Sequence, residues 1–411
     1  MKKSTKRRTR TWGGAALLSA AIFGAGFGAG FGVSQASAAE PTAIPSFAEA
    51  LTPFVESGNA PGAVVVVASP TEILAVETVG WADVEAKRPM RADAYFWIAS
   101  QTKAVVAAAT MICVDEGKLD LDAPVETYLP ELRGLVVAEP REDGTTLLRP
   151  VKTPPTLRQA LSHTAGLRFI TPYQEAFGID SLPVRRLMKT VATTPLIAEP
   201  GTRYSYSNLG IDVAQAAVEA VVGKPFEKFV EERIFAPLEM TDTTFYPSAE
   251  QFERLATPYG WNADAGRLKT IRFDQMPSLD DGSPRYAEGG GGLFSSAPDV
   301  VKFYQMLAGR GVGANGKRVL SEKAVETMTA KQTGVAVDAR YGFGLTVDDR
   351  TFGHGGALGT QGVVYRDGTV GIYLVAVGGT PKQGEMERVF RDVLEKIATE
   401  RSEKKEDGAE K

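Results

Sequence analysis

A serine and a lysine three residues apart are the first side chains in this sequence that could do chemistry together. They are Ser100 and Lys103, in a run that begins a predicted helix. Residues i and i+3 of a helix share a face, so the amine can take the hydroxyl proton and make the serine a nucleophile. Partial burial lowers the basicity of a lysine and suits it to this role. The alternative is a helix N-cap serine, and the same spacing recurs without meaning at Ser402 and Lys405 in the charged end of the chain.

A second group that could act on protons is Tyr206-Ser207-Asn208, between a Pro-Gly turn and another predicted helix. The tyrosine could share a proton with Lys103 and pass it to a leaving group. Asn208 could hydrogen-bond both the lysine and a substrate amide. The alternative is that Asn208 caps the helix beside a packed tyrosine, and the two interpretations are compatible.

The third group is His354-Gly355-Gly356-Ala357, which lies between two β-rich runs. Glycines let a ligand approach an edge strand closely, so we expect these four residues to bind substrate. The N–H of Ala357 is the expected second oxyanion donor beside that of Ser100, and His354 is expected to line the site. The alternative is a surface turn with an incidental histidine.

Taken in chain order, these three motifs resemble those of the β-lactamase and penicillin-binding-protein superfamily. The closest branch is the class C β-lactamase-related serine hydrolases, which include esterases and D-amino-acid peptidases. Supporting segments are similar to this family as well: residues 114–119, 161–167, 237–240 and 291–296. The resemblance covers about residues 45–398, and in this setting we expect His163 to be structural.

The resemblance implies an exported serine hydrolase that forms an acyl-enzyme on ester or amide substrates. Ser100 would be the acylated nucleophile, Lys103 its activating partner and Tyr206 the general base and acid. Asn208 would contact the substrate.

One departure from the family is His354, because class C β-lactamases have a lysine there that helps to hold the substrate carboxylate. A histidine is neutral at pH 7 unless its pKa is shifted. This favours esterase or D-amino-acid peptidase activity over β-lactamase-like activity, which stays open. The open alternative is a penicillin- or wall-peptide-binding protein with little or no turnover.

Strand signals lie at both ends of the chain and helix signals fill its middle. This order predicts an α+β fold, in which helices flank an antiparallel sheet built from both chain ends and a helical domain is inserted between them. A catalytic domain is expected over residues 39–398. Its sheet subdomain would take residues 39–95 and 335–398, and its mostly helical subdomain residues 96–334. The charged residues 399–411 are expected to be disordered.

The composition of the 411 residues excludes several classes of protein. A single cysteine and two histidines rule out a disulfide scaffold and leave a poor ligand set for a metal-dependent hydrolase, so we expect neither metal nor cofactor. The net charge is −4, of which residues 1–38 contribute +6, so the remainder is −10. Such an acidic chain is a poor nucleic-acid binder. The expected partner is a small-molecule or peptide acyl substrate, and nothing indicates the oligomeric state.

The first 38 residues resemble an export signal. Six basic residues precede an uncharged stretch, and the small residues Ala36 and Ala38 predict cleavage after Ala38. The glycine-rich stretch behind Arg7 and Arg8 fits twin-arginine export loosely. We expect a periplasmic or extracellular protein with no membrane contact beyond this signal, and the alternative is an uncleaved N-terminal anchor.

Overall fold

The computed structural model describes residues 46–409 except 274, 277 and 336, with the backbone alone at 280, 281 and 405–409. The helices are α1 Phe47–Glu56, α2 Thr102–Asp115, α3 Leu157–Leu161, α4 Pro172–Phe177, α5 Val184–Ala192, α6 Asn208–Val222, α7 Phe226–Val230, α8 Ala249–Glu253, α9 Ser278–Asp281, α10 Ala297–Ala308, α11 Glu322–Met328 and α12 Gln383–Ala409. The strands are β1 Gly62–Ala68, β2 Ile73–Asp83, β3 Arg88–Pro89, β4 Tyr95–Trp97, β5 Val136–Pro140, β6 Thr146–Pro150, β7 Tyr259–Asn262, β8 Arg267–Thr270, β9 Phe294–Ser296, β10 Thr346–Val347, β11 Thr351–Gly355, β12 Gln361–Tyr365, β13 Val370–Val375 and β14 Val377–Gly378.

The main sheet joins the two ends of the described chain. Its strand order is β10-β11-β12-β13-β1-β2-β3, and neighbouring strands are antiparallel. The link between the two ends is the pairing of β1 with β13, in which Val65 lies opposite Tyr373. The predicted α+β fold, with an antiparallel sheet from both chain ends, is confirmed.

The valine run of β1 forms the centre of this sheet because both of its faces are covered. Successive side chains of a strand point to opposite faces. Val64 and Val66 belong to the core shared with the helical region, whereas Val65 and Val67 pack with residues of α1 and α12. All residues of β1 are buried, which explains a continuous apolar run in place of an alternating one.

Helices α2 and α6 form the centre of the helical region and carry two of the three motifs at their N-terminal ends. The helix α2 is buried from Thr102 to Cys113, and its alanines allow a close approach to α6. Strands also occur in and around residues 96–334. They include the β5–β6 hairpin and the β4–β9 pair, which joins the start of this segment to a strand near its end.

The prediction of disorder for residues 399–411 is wrong up to residue 409, because α12 continues to Ala409. Glutamate and lysine are good helix formers, so a polar end can extend a helix that is already anchored. Two side chains also fasten it to the turn before β13: Arg401 Nε donates to Thr369 Oγ1, and Ser402 Oγ donates to Asp367 Oδ2.

The predicted export signal, its cleavage site and the alternative anchor lie outside the described residues. Among the residues that are described, no helix combines the length and apolar character needed to cross a bilayer.

Candidate active site

Ser100 lies where β4 passes into α2. The tryptophan indole of Trp97 donates to the Gly291 carbonyl, and Ile98 N–H donates to the Leu293 carbonyl, so the approach to the serine is held against β9 and the glycine loop before it. Ala99 has φ +47°, in the left-handed region that residues other than glycine seldom adopt. Such backbone strain is typical of functional sites. Ser100 does not cap α2, since the N-cap residue is Gln101.

Lys103 points its amine at the Ser100 hydroxyl from the first turn of α2. Its side chain is fully buried. Lys103 Nζ lies 3.1 Å from Ser100 Oγ and donates to Asn208 Oδ1 at 2.8 Å and to the Gly290 carbonyl. Burial lowers the pKa of Lys103 to about 8, although the nearby carboxyl groups of Glu288 and Asp212 act to raise it. An amine with this pKa is partly neutral near pH 7 and can accept a proton.

Tyr206 brings a phenol to the same place from the loop before α6. Lys103 Nζ lies 4.7 Å from the centre of its ring, and a hydrogen bond with Ser100 favours the ionised phenol. Burial nevertheless raises the pKa of Tyr206 above its usual value. The group is therefore a phenol with a proton to give. The ring of the half-exposed Phe169 stacks on it at a centroid distance of 6.2 Å.

Asn208 is the first residue of α6 and not its cap. The cap is Ser207, whose Oγ accepts from Gly210 N–H at 3.0 Å. The alternative that Asn208 caps this helix is therefore wrong. Because Ser207 satisfies the helix end, the Asn208 amide is free to accept from Lys103.

His354 is buried in strand β11, so the alternative of a surface turn is wrong. Its Nδ1 donates to the Gly355 carbonyl at 2.6 Å, since a carbonyl can only accept. Nε2 is then the acceptor, with Tyr341 Oη at 2.9 Å and Tyr206 Oη at 3.5 Å. Burial and the charge of Lys103 lower the pKa of His354 to about 3. The ring is neutral at pH 7.

The glycines after His354 bring the end of β11 against the segment before Ser100. A Cβ on Gly356 would meet the Ile98 carbonyl at 2.5 Å, so only glycine permits this approach. The next residue, Ala357, donates its N–H to no acceptor among the described residues. A free backbone donor here is what an oxyanion site requires.

The other histidine, His163, lies behind the site and is buried with φ +60°. Its Nδ1 accepts from Ser207 N–H at 3.2 Å, and its ring packs on those of Tyr206 and Tyr341 at 4.5 and 4.6 Å. Burial lowers its pKa well below the usual value. His163 therefore contacts two residues of the second motif, Tyr206 and Ser207, and helps to position them.

Three site residues escaped the sequence reasoning: Tyr341, Asp212 and Glu288. Tyr341 precedes His354 by 13 residues, with β10 between them, so no motif joins them. Two signals in the sequence could have found the acids: Asp212 lies within the mostly apolar helix α6, and Glu288 stands directly before four glycines. Across the part of the chain described, no three His, Cys, Asp or Glu side chains are grouped to hold a metal ion.

The amino-acid sequence is similar to known proteins over most of its length. The family described as Beta-lactamase matches residues 47–394. Protein Rv1367c of Mycobacterium tuberculosis is 34% identical over 281 residues, which cover 66% of this chain and 68% of that protein. Esterase EstB of Burkholderia gladioli is 32% identical over 362 residues, or 79% of this chain and 87% of EstB.

A solved structure shares the fold at lower identity. EstCE1, described as a hydrolase with promiscuous acyltransferase activity, superposes with a TM-score of 0.71 and 24% identity, covering 85% of this chain and 97% of its own. The family resemblance drawn from the three motifs is confirmed: this chain belongs to the Beta-lactamase family and is one of its serine hydrolases.

Proposed function

We propose that this chain hydrolyses uncharged carboxylic esters through an acyl-enzyme formed on Ser100. One observation carries the proposal. The buried Lys103 amine, with a pKa of about 8, lies 3.1 Å from the Ser100 hydroxyl, within the reach that a base for a serine nucleophile needs.

In the proposed acylation, neutral Lys103 accepts the Ser100 proton while Oγ bonds to the ester carbonyl carbon. The backbone N–H groups of Ser100 and Ala357 stabilise the resulting oxyanion. As the bond to the alcohol breaks, Tyr206 donates its phenol proton to the leaving oxygen and recovers one from the Lys103 ammonium. In deacylation, water attacks the acyl carbon, Lys103 takes a water proton and Ser100 leaves with a proton returned to it.

The substrate class is argued from the rim of the site. The neutral His354 brings no positive charge to the third motif, which disfavours substrates held by a carboxylate. Phe169 exposes 43% of its surface beside Tyr206 and presents an apolar face. Esters with an apolar acyl or alcohol group fit such a rim, and the name of EstB as an esterase supports the same class.

The test uses p-nitrophenyl butyrate, nitrocefin and a D-alanyl peptide with the wild type and Ser100→Ala. We expect the wild type to turn over the ester faster than nitrocefin or the peptide. The Ser100→Ala variant should lose both ester turnover and labelling by a fluorophosphonate. Ester turnover that survives in Ser100→Ala would overturn the proposal. A stoichiometric burst without steady-state turnover would identify a binding protein that acylates slowly.

We also propose that the protein is exported, from the basic and uncharged segments of residues 1–38. N-terminal sequencing of the protein from the culture medium or the periplasm should begin at Ala39. Retention in the membrane with residue 1 intact would favour the anchor instead.

A further inference from the structure

Two buried carboxyl groups adjoin the hydrogen-bond partners of Lys103. Asp212 follows Asn208 by one turn of α6, and Glu288 precedes Gly290 by two residues. A Cβ added to Gly290 would lie 2.4 Å from both Asn208 Cγ and Glu288 Oε1. The Glu288 carboxyl group therefore lies beside the amide and the carbonyl that bind the lysine.

These carboxyl oxygens have few hydrogen bonds for their depth. Asp212 is fully buried and Glu288 is 2% exposed. Asp212 Oδ2 accepts from Gln174 Nε2 at a long 3.4 Å, while Asp212 Oδ1 and both oxygens of Glu288 make no hydrogen bond of ordinary geometry within the described residues. Two ionised carboxylates in such a place would be strongly destabilising.

The charges around Lys103 balance only if one acid is protonated. Lys103 contributes one positive charge, while His163 and His354 are neutral and Tyr206 and Tyr341 keep their protons. Burial raises the pKa of Asp212 to about 7, and burial together with Asp212 raises that of Glu288 well above its usual value. Backbone N–H groups of Gly289 to Gly291 act in the opposite direction and are outweighed.

We propose that Asp212 and Glu288 hold one proton between them and together provide the single negative charge that balances the Lys103 ammonium. They are positioning residues, since neither touches Ser100, and the inference rests on the proposed role of Lys103. Either acid can carry the charge when the other is replaced. Replacing both leaves a buried ammonium without a counter-charge, which favours the neutral amine.

The first test measures the rate of fluorophosphonate labelling of Ser100 against pH. Asp212→Asn and Glu288→Gln should each keep the Lys103 limb within about half a pH unit of the wild type. The double variant should move this limb to lower pH by about one unit or more. Additive shifts in the single variants, or no shift in the double variant, would overturn the proposal.

The second test needs no turnover, so it is independent of the proposed hydrolase activity. It compares the urea midpoints of the double variant and of the triple variant that also carries Lys103→Met. The triple variant should be the more stable of the two, because removing the ammonium restores the charge balance. If the double variant does not fold, the triple variant should; a triple variant that is unfolded, or less stable than the double, contradicts the proposal.

Discussion

Two regions of this protein contain buried carboxyl groups, and they differ in how many hydrogen bonds the carboxyl oxygens accept. At the start of α10, Asp299 Oδ2 accepts from Asp242 N–H at 2.6 Å and from Thr243 Oγ1 at 3.1 Å, and its Oδ1 pairs with Lys302 Nζ at 3.1 Å. Beside Lys103, by contrast, Asp212 and Glu288 have almost no such partners.

The difference separates a carboxylate with a structural role from the pair that we propose to balance the charge of Lys103. Asp299 joins the loop at residues 242–243 to α10, and its charge is satisfied locally. In our proposal, the charge of the Asp212–Glu288 pair acts on Lys103. A buried acid with few donors to its oxygens is therefore a better sign of a site than burial or a shifted pKa, since burial also raises the pKa of Asp299.

The largest effect that tests this comparison comes from the two lysines. Lys103→Met should lower kcat/KM for p-nitrophenyl butyrate by about 10³-fold, because it removes the proposed general base. The matched control Lys302→Met removes the cation of the structural region and should keep kcat/KM within about twofold. Equal losses in the two variants would show that the regions do not differ.

The next effect concerns the free energy of unfolding. Here the larger loss is expected in the region of Asp299 and the smaller one beside Lys103. Asp299→Asn should lower the free energy of unfolding by about 2–3 kcal/mol, because it weakens charge-assisted hydrogen bonds to Asp242, Thr243 and Lys302. Glu288→Gln should change it by less than about 1 kcal/mol, since the amide replaces a group with few bonds to lose. Urea unfolding measures both, and a larger loss in Glu288→Gln would contradict the assignment.

A tenfold effect is expected from pH. In the proposed mechanism Lys103 acts as a base only when neutral, so the active fraction of the protein grows as pH rises towards the Lys103 pKa of about 8. From pH 6 to 7, kcat/KM should rise about tenfold and then level off above about pH 8. The profile of Asp299→Asn should be superimposable, whereas a flat profile from pH 6 to 8 would exclude Lys103 as the base.

The smallest expected effect compares two buried tyrosine hydroxyl groups, one at the site and one away from it. Tyr341→Phe removes the donor to His354 Nε2 at 2.9 Å and should lower kcat/KM by about threefold to tenfold, at a cost in stability of about 1 kcal/mol. Tyr95→Phe is the control, because the Tyr95 hydroxyl is buried without a partner among the residues described. A comparable activity loss in both would assign Tyr341 to packing.

Sequence patterns were sufficient to predict the positions of the site residues that belong to local motifs. Lys103 and Asn208 occupy the first turns of helices whose apolar runs are legible, and the structure brings both to Ser100. The same holds for β1, whose valine run predicts a strand. In these cases the local pattern and the tertiary contact agree.

Other features depend on contacts between distant segments. The strand β11 was not predicted because its glycines have low strand propensity, and pairing with β12 overrides that preference. The helical end of α12 is fastened by Arg401 and Ser402 to a turn about thirty residues earlier. Glu288 reaches Lys103 across 185 residues, so no spacing rule connects them.

The pairing of β1 with β13 has a consequence for the order of events during folding. About three hundred residues separate these strands, so the chain must close a very long loop before the central sheet exists. Because β11 joins that sheet through β12 and β13, the third motif reaches Ser100 only after this closure. Catalytic competence is thus a late product of folding, and regain of esterase activity should lag behind regain of helical circular dichroism in a refolding experiment.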